Sequence, residues 1–349
     1  MRASFSPRSL FAVLASAATL LSACDRTVTA PAADRAPSDP NALVIGGVTW
    51  TRTTLPFIPK AINAAGVIVG IRGTEAVRWR NGVLDTLPHL SSLSGPYIAV
   101  DITPNGVVLG GANGHIVYWA QDHMPPVDVG SPQAYVGQLT PIAMNDSYTI
   151  VGWGRNSNTA ITSLRYKSGG WTDIGAGFGS SGQDQSVVTG LNSSGQASGW
   201  RSVYTVSNEI PVRWNATSTS PITLPGGLGK GMGIDVSGNI FGYTQNLGNE
   251  MWYANGSTAL VNLPAMAWKR SDAGRFVGYA MNAGTMQVFT SFNGTLTWLA
   301  SPDATSPTPA GVNSCGTIIA GHTATDGFMF KRTSMLVANT CDTPPVLAQ

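Results

Sequence analysis

The side chains able to do acid–base or nucleophilic chemistry are few and scattered. The four histidines are His89, His115, His123 and His322. His115, Asp122 and His123 are close in sequence, but their spacing matches no common metal-ligand pattern. Glu75, Glu209 and Glu250 each stand just before a strand of the same kind. Glycosidic cleavage needs two facing carboxylates at a defined separation, and a repeated architecture would bring Glu209 and Glu250 onto neighbouring units. Their place at strand starts predicts solvated side chains instead. The chain has no Gly-x-Ser-x-Gly elbow, Walker loop, His-Glu-x-x-His helix or EF-hand calcium loop. No catalytic residue, metal site or cofactor is assigned from these residues. An aromatic series is more informative. The residue after a recurrent glycine reads Ile71, Gly111, Trp153, Trp200, Tyr243, Tyr279 and His322. Four consecutive copies are aromatic. Such rings, side by side on one rim, would stack on sugars or on peptide side chains. The competing expectation is that they fill the wedge between neighbouring units. Trp153, Trp200, Tyr243, Tyr279 and His322 are the candidate ligand-binding residues.

The elements that must position them come from one phrase, Ile62-Asn63-Ala64-Ala65-Gly66-Val67-Ile68-Val69-Gly70, present in seven degraded copies spaced roughly 36–47 residues apart. Its first polar residue is Asn63, Thr103, Asn145, Asn192, Asp235, Ser271 or Asn313. These side chains accept a backbone hydrogen bond at the first position of a tight turn. Three residues on stands Gly in six copies, fitting a turn left with positive φ. The third copy has Tyr148 there, which predicts a strained or differently built turn. A second glycine (Gly70, Gly110, Gly152, Gly199, Gly242, Gly278, Gly321) follows a short apolar strand in every copy. Glycine inside a strand marks a bulge or a close backbone approach.

Two more strands follow each hairpin. The third ends near an aromatic, as in Ala76-Val77-Arg78-Trp79 and Val212-Arg213-Trp214. The fourth often closes on proline, as in Leu84-Asp85-Thr86-Leu87-Pro88, which suits an outer edge. No stretch shows helical periodicity, so the class is all-β. Four strands per repeat predict a seven-bladed β-propeller over residues 43–341, with eight blades as the alternative. Val48–Thr53 reads as a third strand without its hairpin and Thr54-Leu55-Pro56 as a fourth. Pairing of these N-terminal strands with the last blade would close the ring.

The N-terminus carries an address. Arg2 and Arg8 precede an apolar run, Leu10 to Leu21, too short to span a bilayer. Leu21-Ser22-Ala23-Cys24 follows and resembles the lipobox of bacterial lipoproteins. The resemblance implies a signal peptide at 1–23 and a diacylated Cys24 anchoring the chain to a membrane of the cell envelope, facing periplasm or exterior. Residues 24–42 are Pro/Ala-rich and read as a flexible tether, and 342–349 as a disordered tail. The other two cysteines, Cys315 and Cys341, are expected to pair in an oxidising compartment. Without residues 1–23 the chain has equal numbers of acids and bases and no basic cluster, so nucleic acid is not an expected partner.

The phrase Ile-Asn-x-x-Gly-x-Val-Val-Gly, with its aromatic-ended third strand, resembles the HAF family of bacterial extracellular repeats. The His-Ala-Phe-x-Trp hallmark is partial: Ala76 and Trp79 remain in the first copy, His115 and Trp119 in the second, Trp214 alone in the fourth. The resemblance implies an exported, propeller-like repeat protein and transfers no active site. The sequence thus predicts a monomeric, lipid-anchored binding or scaffolding module for a glycan or protein. A glycan-active hydrolase or lyase, with acids in the central funnel, and a structural part of an envelope assembly are the alternatives.

Overall fold

Each copy of the phrase folds into the same hairpin, and the hairpin dictates the blade. The computed structural model describes residues 42–45, 48–120, 122–130, 132, 139–155, 160–175, 184–203, 208–265, 267–271, 274–292, 295–300 and 307–333. Cys24, the signal peptide, Cys341 and the tail lie outside these, as does the tether apart from Ala42. In the first repeat the Asn63 carbonyl accepts from Gly66 N–H at 3.0 Å, and Asn63 Oδ1 accepts from Val67 N–H at 3.0 Å. The six turn glycines have φ between +65° and +88°. Tyr148 adopts φ +57° in a turn with the same bonds, Tyr148 N–H to the Asn145 carbonyl at 2.9 Å. That turn is therefore built like the others, and its strain is carried by a tyrosine.

Blade 1 consists of Ile58–Ile62, Ile68–Arg72, Glu75–Arg80 and Val83–Thr86, innermost to outermost. Five more sheets of four antiparallel strands repeat the meander. The last has Thr308–Val312, Ile318–His322 and Gly327–Arg332 in the chain's order, then Val48–Leu55 and Ala42–Ile45 on its outer side. The fold is a seven-bladed β-propeller, and the eight-blade alternative is excluded. Closure occurs where expected, but its form differs. Val48–Leu55 is one continuous strand, paired along its length with 327–332 (Trp50 opposite Arg332, Leu55 opposite Gly327). It is not a third strand followed by a fourth. Among the described residues there is no helix.

The second glycine has a double cause. In all seven blades the innermost strand bulges at one position, directly across from it: between Pro59 and Ala61 opposite Gly70, and between Gly231 and Gly233 opposite Gly242. A Cβ on Gly70 would lie 2.1 Å from the Ile58 carbonyl oxygen, and one on Gly242 1.9 Å from that of Lys230. The bulge turns a carbonyl onto the neighbouring strand, and only glycine leaves room for it.

The core lies in the wedges between adjacent blades. One cluster joins Val69, Ala76 and Leu87 of blade 1 to Tyr97, Val117 and Trp119 of blade 2. The third-strand tryptophans close these wedges. Trp119 Nε1–H donates to the Pro88 carbonyl at 2.8 Å, Trp214 to Ile174 at 2.6 Å, and Trp252 to Pro225 at 2.7 Å. Each acceptor sits at the end of the preceding blade's outer strand, so one indole both fills a wedge and bonds two blades. The third-strand residue paired with the second glycine is Val77, Val117, Leu164, Val212, Phe289 or Phe328, all fully buried. In blade 5 it is Glu250.

Candidate functional site

The acid–base groups are spent on structure. Glu75 pairs with His89 at 2.7 Å, His115 with Asp128 at 3.0 Å, and Glu209 with Lys230 at 2.6 Å. Asp122 is held by Arg78 and Arg80 of the preceding blade. Burial opposes its ionisation, but the two guanidiniums outweigh that and hold its carboxyl below the usual range. His115 thus pairs with neither Asp122 nor His123. Among the described residues no group of three or more His, Cys, Asp or Glu is arranged to hold a metal ion. Glu250 corrects the expectation of a solvated strand start. It is only 3% exposed. Burial raises its pKa, and the nearby Thr244 and Thr258 hydroxyls only partly offset this.

The first-strand turns gather at one end of the ring axis. Their leading polar residues are all buried. Several reach the next blade: Asn63 Nδ2–H donates to the Thr103 carbonyl, Asn145 to Asn192, and Asn192 to Asp235, at 3.0–3.3 Å. Arg270 binds Asp235 at 2.6 Å. Inside this belt lies a cavity of about 200 Å³, lined by Asn63, Asp101, Lys269, Arg270 and Ser271 together with apolar and small residues of six blades. Among the described residues Asp101 is its one carboxylate, and Oδ2 accepts from the Met144 N–H at 2.9 Å. A cavity so lined recognises polar groups, and its described residues present no facing carboxylates.

The aromatic series lies toward the other end of the blades. Trp153 pairs with Thr140, the first residue of its innermost strand. Trp153, Trp200, Tyr243, Tyr279 and His322 are all half-buried. Two of them meet the next blade: Lys230 Nζ lies 4.7 Å from the Trp200 ring centre, and Lys60 acts on His322. His322 is held below the ordinary histidine range, first by burial and then by Lys60, against the opposing pull of the Thr323 carbonyl. At Trp200 and His322 the position therefore packs against the neighbouring blade, and all five residues stay partly exposed.

Known proteins share this architecture. The structure is similar to a catalytically inactive virginiamycin B lyase from Staphylococcus aureus with quinupristin. The two are 11% identical with a TM-score of 0.56, over 81% of this chain and 99% of that one. It is also similar to an oligogalacturonate lyase in complex with manganese, 12% identical with a TM-score of 0.54, over 82% and 94% of the two chains. At these identities the likeness is one of fold. No family model matches the sequence, and no curated protein matches it.

The cavity residues Asp101, Lys269 and Arg270 carried no signal along the chain. Asp101 stands on the second blade and Lys269 and Arg270 together on the sixth, and the two sets meet only through closure. The burial of Glu250 did carry one: Glu250-Met251-Trp252 aligns with Val77-Arg78-Trp79.

Proposed function

We propose that this chain is a non-enzymatic binding propeller whose ligand is a glycan, held along the rim formed by Trp153, Trp200, Tyr243 and Tyr279. The observation that carries this reading is the recurrence of a half-buried aromatic at one register position on four successive blades. A row of partly open rings suits a polymer of stacked sugar units. His322 extends the series to the seventh blade. The two similar lyases invite an enzymatic reading, but among the described residues the axial cavity offers one carboxylate, and it is already hydrogen-bonded. Binding of the full chain to a glycan array tests the proposal. Trp153→Ala and Trp200→Ala should each weaken binding with melting unchanged. Capture of a protein and no glycan would replace the ligand class, and loss of stability would assign both rings to the wedges.

Lipid anchoring at Cys24 belongs to the same reading. It is supported by the order of basic residues, apolar run, small residues and cysteine, and Cys24→Ala should abolish fatty-acid labelling in a bacterial host. A Cys315–Cys341 bridge would pin the C-terminal tail to the last hairpin, for which the burial of Cys315 speaks. The propeller likeness leaves the HAF resemblance resting on the repeat phrase itself.

A further inference from the structure

Tyr148 is the one residue at its turn position that is not glycine, and it is exposed. The turn is clamped from three directions. Asn145 Oδ1 accepts from Ser147 N–H and Thr149 N–H, both at 3.1 Å. Asn145 Nδ2–H donates to the Asn192 carbonyl of blade 4 at 3.0 Å, and Asp146 Oδ1 accepts from Asn105 N–H of blade 2 at 3.3 Å. The surroundings therefore impose φ +57° on a residue type that resists it. The ring gains little in return, since 42% of the residue stays exposed.

What the ring does is extend an aromatic cluster. Tyr148 lies 5.2 Å from Tyr118 of blade 2, ring centre to ring centre, and Tyr166 lies 5.3 Å from Trp171. Tyr118, Tyr166 and Trp171 pack against one buried cluster, which brings the two ring pairs together, and burial first, then Tyr148 and Tyr166, raise the Tyr118 phenol above its usual range. Trp171 is fixed by its Nε1–H bond to the Val129 carbonyl at 3.1 Å. The cluster combines one exposed ring, that of Tyr148, with the phenol hydroxyls of three tyrosines, while Tyr118, Tyr166 and Trp171 are half-buried against the core beneath it. Those two features match a neutral pyranose, whose C–H face stacks while its rim exchanges hydrogen bonds.

We propose that Tyr148, with Tyr118, Tyr166 and Trp171 behind it, forms a second saccharide-binding platform for a neutral hexopyranose or pentopyranose unit. It sits at the first-turn end of the blades, opposite the Trp153 rim. The site stands independently of that rim, and occupation of both would make the protein bivalent.

The test uses the full chain in calorimetric titrations with xylohexaose, cellohexaose, mannohexaose and chitohexaose, and with a decaproline peptide. Tyr148→Gly removes the ring and installs the residue found in the other six turns, so this variant folds at least as well as the parent. At least one hexaose should bind, and Tyr148→Gly should weaken that site about tenfold or more, with melting unchanged or higher. Trp153→Ala should leave the site intact. If both sites bind the same sugar, each variant halves the stoichiometry; if only the rim reading fails, Tyr148→Gly abolishes all binding. The proposal is overturned if no hexaose binds, if Tyr148→Gly binds as before, if only decaproline binds, or if Tyr148→Gly lowers the melting temperature.

Discussion

Replacing Glu250 should stabilise the protein, and the gain should depend on pH. Its position in the other six blades is a fully buried apolar residue beside the second glycine. Here a carboxyl occupies that wedge, with Oε2 lacking a well-formed hydrogen bond. Burial raises its pKa above the ordinary 4.5. The folded state therefore holds the proton more tightly than the unfolded state. Below about pH 4.5 both states are protonated and the folded state has its full stability. As pH rises through the folded value, stability falls, and it levels off once the folded carboxyl is ionised. Glu250→Gln removes this dependence. The gap between variant and parent should be smallest at pH 4 and reach a plateau at alkaline pH. That difference between pH 4 and the plateau, divided by about 1.4 kcal/mol, returns the displacement of the Glu250 titration in pH. Glu250→Val copies blades 1, 2 and 4, where the same Gly–Trp pair surrounds Val77, Val117 and Val212. Removing an incompletely bonded buried carboxyl is worth about 1–3 kcal/mol. At about 2–4 °C per kcal/mol in a chain of this size class, the melting temperature at pH 8 should rise by several degrees. Thermal unfolding followed by circular dichroism from pH 4 to pH 9 reads both effects. A gap that is flat across that range would refute the reasoning, as would a parent more stable than Glu250→Gln at pH 8.

Trp214→Phe keeps the ring in its wedge but removes the 2.6 Å bond to the Ile174 carbonyl. Denaturant unfolding should show a loss of about 1–3 kcal/mol, because the acceptor stays buried. Gly242→Ala drives a methyl to within 1.9 Å of the Lys230 carbonyl oxygen, so the bulge must open. Its cost should exceed about 2 kcal/mol. Gly82→Ala, in a turn with open space around it, should cost only about 1 kcal/mol through its positive φ.

Much of the ring was legible because one local solution is reused. A buried Asn, Asp, Thr or Ser starts each turn, glycine leaves six of the seven, and counting such turns counts blades. The second glycine was legible as a kind of feature but not in full. Sequence pointed to a bulge or a close approach, and both are present because the bulge lies on the partner strand and throws its carbonyl across. Val48–Leu55 was misread for a different reason. Trp50 imitates the third-strand tryptophans, whereas the strand's true place is set by pairing with residues 327–332, which no nearby residue encodes. Tyr148 was visible as an exception to the glycine rule. Its ring partner Tyr118 belongs to another blade and could not be seen until the blades were side by side. The axial cavity was unreadable for the same reason.

The residues that shut the ring are synthesised early and used last. Until Gly327–Arg332 has been made, Val48–Leu55 is paired only with Ala42–Ile45, and Ile318–His322 of the seventh blade lacks its outer partner. That single contact gives the fold its longest sequence separation and a correspondingly slow final step. A premature stop anywhere before Gly327 would therefore not yield a smaller working domain. It would leave nearly complete blades with two open β-edges, the form of damage most prone to self-association.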